Sequence, residues 1–405
     1  MNILQINSRV PFPPTSGGVI YTNIIAKGYL AANQNLTLFC LNTKKHFFDI
    51  NQLPQHFLKG VKAIHTSFVD TDIKPFDAIY NLLFSNQSYN ITRFYSKKVE
   101  KDLVNLLKAN VFDVVHLDTL YTTPYVACIR RFAPRAKIVY VSQNVESVIW
   151  ERLSVDKKNA TWLQKIKNRY FKLLAKRLKS DEKKVFEQVD GVCAITEIDS
   201  KLMEQLGCKK PMWVVPFGIF MTDAKPDFSL PQSHQICFIA SLDWLPNVEG
   251  LLWFLDNVWC LVKAQKPDLR CLVAGKSMPK NLKNKQIAGV EMVGEVADAQ
   301  RFIQESGILI VPLLSGSGMR IKILEGMALG KAIVSTSVGA EGIGVQNHHD
   351  ICVADTPEDF AKNLLELIND EGKCVEMGKN ARQNVEKNYD FRLIVHQLLV
   401  FYSNI

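Results

Sequence analysis

The sequence predicts an α/β protein of two tandem doubly wound units, each a parallel sheet flanked by helices. Three observations predict it. Short apolar runs alternate with helix-length segments through the first half, the pattern restarts after residue 234, and a proline-rich stretch with little periodicity lies between. Such alternation indicates parallel strands joined by crossover helices. A chain of 405 residues is also too long for one core of ordinary size and suits two.

The first unit is expected over 1–216, with strands at 1–6, 36–41, 112–117, 137–142 and 191–196 and a helix at 18–32. Residues 217–231 read as a linker, since Gly218, Pro226 and Pro231 follow Pro216 closely. The second unit is expected over 232–385. Its strands are placed at 235–240, 269–274, 291–294, 308–314, 332–336 and 350–354, and its helices at 247–263 and 319–329. Residues 386–405 read as a helix that crosses back to the first unit.

Hydrophobic residues make up 47% and charged residues 22%, so both a core and a solvated surface can form, and disorder is excluded. No run of about 18 apolar residues occurs, nor does a leader-like start, so neither a membrane span nor export is expected. The nine cysteines include no CxxC pair, which removes support for structural zinc and a disulfide framework and fits a cytoplasmic setting.

The net charge of +9 is concentrated. Residues 151–187 hold twelve Lys or Arg against five acids, a surplus of seven. Trp162, Ile166, Tyr170, Leu173, Leu174 and Leu178 recur there at helical spacing, so the segment reads as a basic amphipathic helix or helix pair. The stripe is expected to pack on its own domain. The cationic face suits an anionic membrane surface or an acidic acceptor, whereas no nucleic-acid-reading motif accompanies it.

The sharpest local feature is the run from Ile308 to Leu314, then Ser315-Gly316-Ser317-Gly318, then a helix beginning near Met319. A buried strand that ends in a glycine loop and opens a helix gathers free backbone N–H groups and the positive end of a helix dipole at one point, which is an anion site. It is neither a GxGxxG fingerprint, since Ile321 stands where the third glycine would be, nor a P-loop. Arg320 and Lys322 add two cations, and Glu325 lies three residues beyond Lys322 on the same face.

With its flanking segments, this run resembles the donor motif of the family 4 glycosyltransferases, retaining enzymes of GT-B fold in which two Rossmann-like domains face a central cleft. The motif aligns Ser317 with the first of the family's two glutamates and Glu325 with the second, followed by Gly326-Met327-Ala328-Leu329-Gly330-Lys331-Ala332. Pro13-Pro14-Thr15-Ser16-Gly17-Gly18, Asp113-Val114-Val115-His116, Gln143-Asn144-Val145-Glu146, Val215-Pro216-Phe217-Gly218 and Phe238-Ile239-Ala240-Ser241 extend the likeness over nearly the whole chain.

The resemblance implies a nucleotide diphosphate sugar on the second unit, an acceptor on the first, and no metal or other cofactor. Donor binding is expected from Gly17, Gly18, Ser241, Asn247, Ser317, Gly318, Met319, Arg320, Lys322 and Glu325. Catalytic roles are expected for Asp118, His116, Arg320 and Lys322. In the family an Arg and a Lys just after the first strand of the second domain hold the diphosphate. Here that region offers the uncharged Ser241 and Asn247. A leaving diphosphate still needs cations, because electrostatic stabilisation is usually the largest catalytic contribution, so Arg320 and Lys322 are expected to replace the pair. Ser317 removes a carboxylate that would meet the donor sugar, leaving the sugar unidentified.

On the first unit, His116 is placed at a strand end, and two readings stand for it, ligand contact or a satisfied core position. Gly17 and Gly18 either let a ligand approach the backbone or cap the following helix. Asp70-Thr71-Asp72 matches a metal-binding DxD, a pattern that arises often by chance. The reaction expected is sugar transfer to a saccharide or lipid-linked acceptor in cell-surface polysaccharide or glycolipid assembly. A nucleotide-sugar epimerase and a silent nucleotide-sugar-binding protein are the alternatives. The expected setting is the cytoplasm, with peripheral attachment to a membrane through 151–187 left open.

Overall fold

A computed structural model describes residues 1–14, 17–154, 162–221, 226, 228, 235–316 and 318–405. It divides into two compact units. The first comprises Met1–Gly218 with Phe391–Ile405, and the second Ile219–Asp390. The boundary thus falls at 218/219, and most of the expected linker lies outside the described residues. The return to the first unit begins at Phe391 rather than at 386.

The first unit's strands are β1 (Asn2–Asn7), β2 (Asn35–Thr43), β3 (Ala63–Val69), β4 (Val114–Asp118), β5 (Lys137–Ser142), β6 (Gly191–Ala194) and β7 (Met212–Val214), ordered β3-β2-β1-β4-β5-β6-β7. The second unit holds β8 (Gln235–Ile239), β9 (Arg270–Ala274), β10 (Val290–Gly294), β11 (Ile308–Val311), β12 (Ala332–Ser335) and β13 (Cys352–Val353), ordered β10-β9-β8-β11-β12-β13. Every pairing between these strands is parallel. The central strands are buried on both faces, which is why β11 reads as the continuous run Ile-Leu-Ile-Val and not as an alternation. Strand order reverses between β1 and β4 and again between β8 and β11. In open α/β sheets ligands bind beyond the carboxyl ends of the strands at such reversals.

Seven helices matter below. They are α1 (Gly17–Ala31), α2 (Pro75–Phe84), α3 (Glu146–Leu153), α4 (Trp162–Gln188), α5 (Leu245–Trp253), α6 (Ile321–Ala328) and α7 (Phe391–Asn404). The helix predicted over 247–263 starts at Leu245, passes through a π-helical turn at Phe254–Val258 and resumes over Trp259–Gln265. The helix predicted from 319 starts at Ile321, because Gly318 has φ +82° and Arg320 is still extended. Helix α7 packs on α1 and buries Ile394, Val395, Leu398, Phe401 and Tyr402 in the first unit's core.

The apolar stripe expected to pack along α4 does so over only part of its length. Leu174 and Leu178 are buried, and Phe171 meets Trp150 of α3 edge-on at 5.0 Å. Trp162, Ile166, Tyr170 and Leu173 stay exposed. No helix among the described residues is long and apolar enough to cross a membrane.

Candidate functional site

In the first unit, the reversal between β1 and β4 opens a polar cavity of about 250 Å³ lined by Arg9, Gly18, Thr22, Asp118, Tyr121, Gln143 and Glu146 among others. Asp118 is the last residue of β4. Its carboxylate accepts hydrogen bonds from Thr22 Oγ1 at 2.5 Å and from Gln143 Nε2 at 2.7 Å. Burial still pushes its carboxyl up to about 6, against the opposing pull of these donors and of Arg9. Glu146 opens α3, and burial raises it to about 6 as well, while its hydrogen bond with Tyr121 acts the other way. Burial lowers Arg9, and Asp118 and Tyr121 oppose the shift. Thr119 holds φ at +73°, a left-handed conformation that costs a non-glycine residue of order 1–3 kcal/mol and recurs at ligand sites.

Gly17 and Gly18 begin α1. A side chain at Gly18 would place its Cβ 2.7 Å from Gln143 Oε1, so the glycine keeps Gln143 in reach of Asp118. His116 requires a correction. It sits in mid-strand, fully buried, and its Nδ1 lies 2.8 Å from both Tyr29 Oη and Tyr402 Oη. Two residues along a strand is about 6.6 Å, so His116 lies that much deeper than Asp118, sealed by α1 and α7. Burial drives its pKa down to about 3, so it stands as a neutral histidine within the core and not at the strand end.

In the second unit, the loop after β8 and the loop after β11 meet. Ser241 Oγ donates to Asp243 Oδ1 at 2.6 Å, and Asn247 Nδ2 on α5 donates to the Ser241 carbonyl at 2.8 Å. Lys322 on α6 reaches across, its Nζ 3.1 Å from Asn247 Oδ1 and 5.4 Å from the Phe238 ring centroid. Arg320 precedes α6, lies buried with its guanidinium 5.4 Å from the Trp244 ring centroid, and donates from Nη1 to the Gly318 carbonyl at 2.7 Å. Gly316 and Gly318 have φ of +121° and +82°, so the turn into α6 uses backbone that only glycine adopts freely. Met319 is buried between them and the helix, and Ser317 lies outside the described residues.

Burial lowers Lys322 to about 7, with Arg320 adding to the effect and Glu325 opposing it. Glu325 is raised to about 7 by burial, against the pull of Lys322. Two cationic groups thus stand together at the start of a helix, where the dipole also favours a bound anion. The structure brings Ser241, Asn247, Arg320, Lys322 and Glu325 together in the second unit. Asp118, Gly17 and Gly18 gather in the first, and His116 drops out of that group.

Asp70 and Asp72 do not form a ligand pair. Asp70 Oδ2 meets Lys74 Nζ at 3.1 Å, and Asp72 Oδ2 meets Lys44 Nζ at 2.6 Å. Sequence reasoning assigns no role to Arg9, Tyr121 and Glu146, which the structure places on the cavity wall. For Arg9 the available signal was its place just beyond β1, at the strand-order reversal.

This architecture is the GT-B fold. The chain superposes on sucrose-phosphate synthase from Thermosynechococcus elongatus with a TM-score of 0.70 at 14% identity, covering 100% of this chain and 99% of that one. The Anabaena protein HepE, solved in complex with UDP and glucose, gives 0.65 at 12% identity with 100% of both chains covered. Within the fold, residues 233–370 match the family model of the glycosyl transferases group 1. By sequence the chain is 27% identical over 170 residues to an uncharacterized 44.6 kDa protein in the cps region of Klebsiella pneumoniae, a match over 40% of this chain and 44% of that protein. The chain therefore spans less than half the length of that relative.

Proposed function

We propose that the protein is a retaining glycosyltransferase that moves a sugar from a nucleotide diphosphate sugar to a saccharide or lipid-linked acceptor, without a metal. The observation that carries this reading is the convergence of Lys322 and Asn247 beside Arg320 at the β8/β11 reversal. The match of residues 233–370 to glycosyl transferases supports it, as does the nucleotide and sugar held by HepE.

Arg320 and Lys322 balance the charge of the diphosphate, with the backbone of Gly318 and Met319 at the helix start. Ser241 and Asn247 border the same place, and Glu325 accepts from ribose hydroxyls. In transfer, the bond from the anomeric carbon to the β-phosphate oxygen breaks and a bond to the acceptor oxygen forms on the same face. The acceptor proton passes to the departing phosphate, and the nucleoside diphosphate leaves. Asp118 orients an acceptor or sugar hydroxyl, with Gly17 and Gly18 beside it. The setting is cytoplasmic and peripheral to a membrane through residues 151–187, in cell-surface polysaccharide or glycolipid assembly.

A panel of labelled nucleotide sugars, incubated with and without membrane extract, tests the reading. Release of nucleoside diphosphate that depends on extract is the expected result. Isomerised nucleotide sugar would point to an epimerase, and binding without turnover to a silent protein.

A further inference from the structure

Helix α2 turns its apolar side away from the protein. Residues 76, 79, 80, 83 and 84 follow the spacing of one helical face. Phe76 is 87% exposed, Phe84 73%, Leu83 68% and Tyr80 67%, with Ile79 and the preceding Ile73 also in solvent. The inward side of the helix is instead anchored by polar groups. Asn81 is buried, and Arg177 of α4 donates from Nη1 to its side-chain oxygen at 3.2 Å and from Nη2 to the Leu82 carbonyl at 2.8 Å. The rings of Tyr80 and Phe84 lie 5.0 Å apart, so the outward face is a joined apolar surface. The one carboxylate of α2, Asp77, lies in its first turn.

The partner helix supplies the charge. Over Trp162–Gln188, α4 carries nine Lys or Arg against three acids, of which Asp181 and Glu182 are buried. All nine except the partly covered Arg177 are exposed, and Trp162 and Ile166 stand in solvent among the lysines. An outward apolar stripe held against a cationic helix matches the interface of an anionic bilayer, where rings enter the headgroup boundary and ammonium groups meet lipid phosphates.

We infer that α2 is a membrane-inserting element, with its Phe76–Phe84 face buried in the headgroup boundary of an anionic bilayer and the α4 lysines on its phosphates. The inference deepens the peripheral-membrane part of the proposed function by naming the inserting element. It is independent of the donor and of turnover.

The test is co-sedimentation of the full chain with phosphatidylglycerol-containing vesicles and with pure phosphatidylcholine vesicles, at about 0.1 M and about 1 M salt, where the Debye length falls from about 10 to about 3 Å. One variant combines Phe76→Ser, Tyr80→Ser and Phe84→Ser. A second combines Lys165→Gln, Lys172→Gln, Lys176→Gln and Lys183→Gln. All seven side chains are exposed, so both variants should melt like the parent. The parent should bind anionic vesicles, and the apolar variant should bind at least about tenfold more weakly at both salts, because its face can no longer enter the headgroup boundary. The lysine variant should lose the salt-sensitive part of binding.

Binding by the apolar variant equal to the parent's would overturn insertion while leaving the basic-helix reading intact. Failure of the parent to bind would overturn both. A parent that ignores lipid and sediments as a dimer, which the apolar variant dissolves, would reassign the face to a second copy of the chain. Failure of the sugar-transfer reading would show separately, in the turnover assay.

Discussion

Lys322 on α6 and Asn247 on α5 meet through a 3.1 Å hydrogen bond from the ammonium to the side-chain oxygen. A cation from the helix after β11 is thereby delivered to the loop after β8, where the family resemblance leads one to look for a charge and the sequence has Ser241 and Asn247. Lys322→Met should weaken UDP binding by roughly ten- to a hundredfold, the equivalent of a lost charge-assisted hydrogen bond at about 1.5–3 kcal/mol. Adding Asn247→Lys should restore part of it, because the new ammonium would originate where the present one ends. Calorimetric titration with UDP decides the matter, and no recovery in the double variant would mean that position 247 does not face the diphosphate.

Arg320 and Glu325 should each be needed for nucleotide binding but not for folding. Arg320→Ala removes the guanidinium stacked on Trp244, and Glu325→Ala removes the carboxylate assigned to the ribose. Each should weaken UDP binding by at least about tenfold. Circular dichroism should show the native fold in both. Native affinity in either folded variant takes that residue out of the site.

The pH dependence of binding should carry the signature of Lys322. Its amine titrates near 7 in the free protein, and a bound diphosphate favours the charged form, so its pKa rises on binding. Below about 7 the amine is charged in both states and affinity is flat. Above that pH, binding must take up a proton, and affinity should fall by up to about tenfold per pH unit until the bound-state pKa is reached. Glu325, also near 7, changes charge in the same range, so the slope is best read in Glu325→Gln. Adding Lys322→Met to that variant should flatten the profile. Parallel slopes with and without the lysine would assign the effect elsewhere.

Replacing Asp118 should separate acceptor chemistry from donor binding. In Asp118→Asn the bond from Gln143 can survive through a turned amide, but the negative charge is gone. Transfer should drop by about ten- to a hundredfold in kcat/KM while UDP affinity stays within about twofold. A matching loss of UDP affinity would place Asp118 in nucleotide binding instead.

Turnover should persist in EDTA, since two side-chain cations are assigned to the diphosphate. If chelation stops the reaction and magnesium or manganese restores it, a metal shares that task. Asp70 and Asp72 would then have to leave their lysine partners to take part.

The parts of the fold that could be read in the sequence are those whose local pattern and final environment agree. Strands such as Ile308–Val311 are buried on both faces, so their composition alone marks them. Strand β3 escapes notice because three consecutive polar residues, His65, Thr66 and Ser67, interrupt its apolar run, and strand β7 because three residues make no pattern. The second-unit site was legible because Arg320, Lys322 and Glu325 lie within one helical turn or two. The first-unit cavity was not, because Arg9, Asp118 and Glu146 come from three separate strand ends. His116 misled because the sequence cannot show that the hydroxyls of Tyr29 and Tyr402 close over it from opposite ends of the chain. Helix α2 escaped notice because periodicity reveals an apolar face without revealing which way it turns.

The placement of Tyr402 beside His116 also governs the order of assembly during synthesis. The second unit, Ile219–Asp390, is a continuous stretch and can close as soon as it emerges. The first unit begins earlier but lacks α7 until residues 391–404 have been made, and until then Tyr29, His116 and the surface that receives Phe401 stand open to water. Domains generally fold as units from the N-terminus on the ribosome. Here the earlier domain waits for the later one, and synthesis of residues 391–404, not passage of residue 218, sets the moment at which its core can seal.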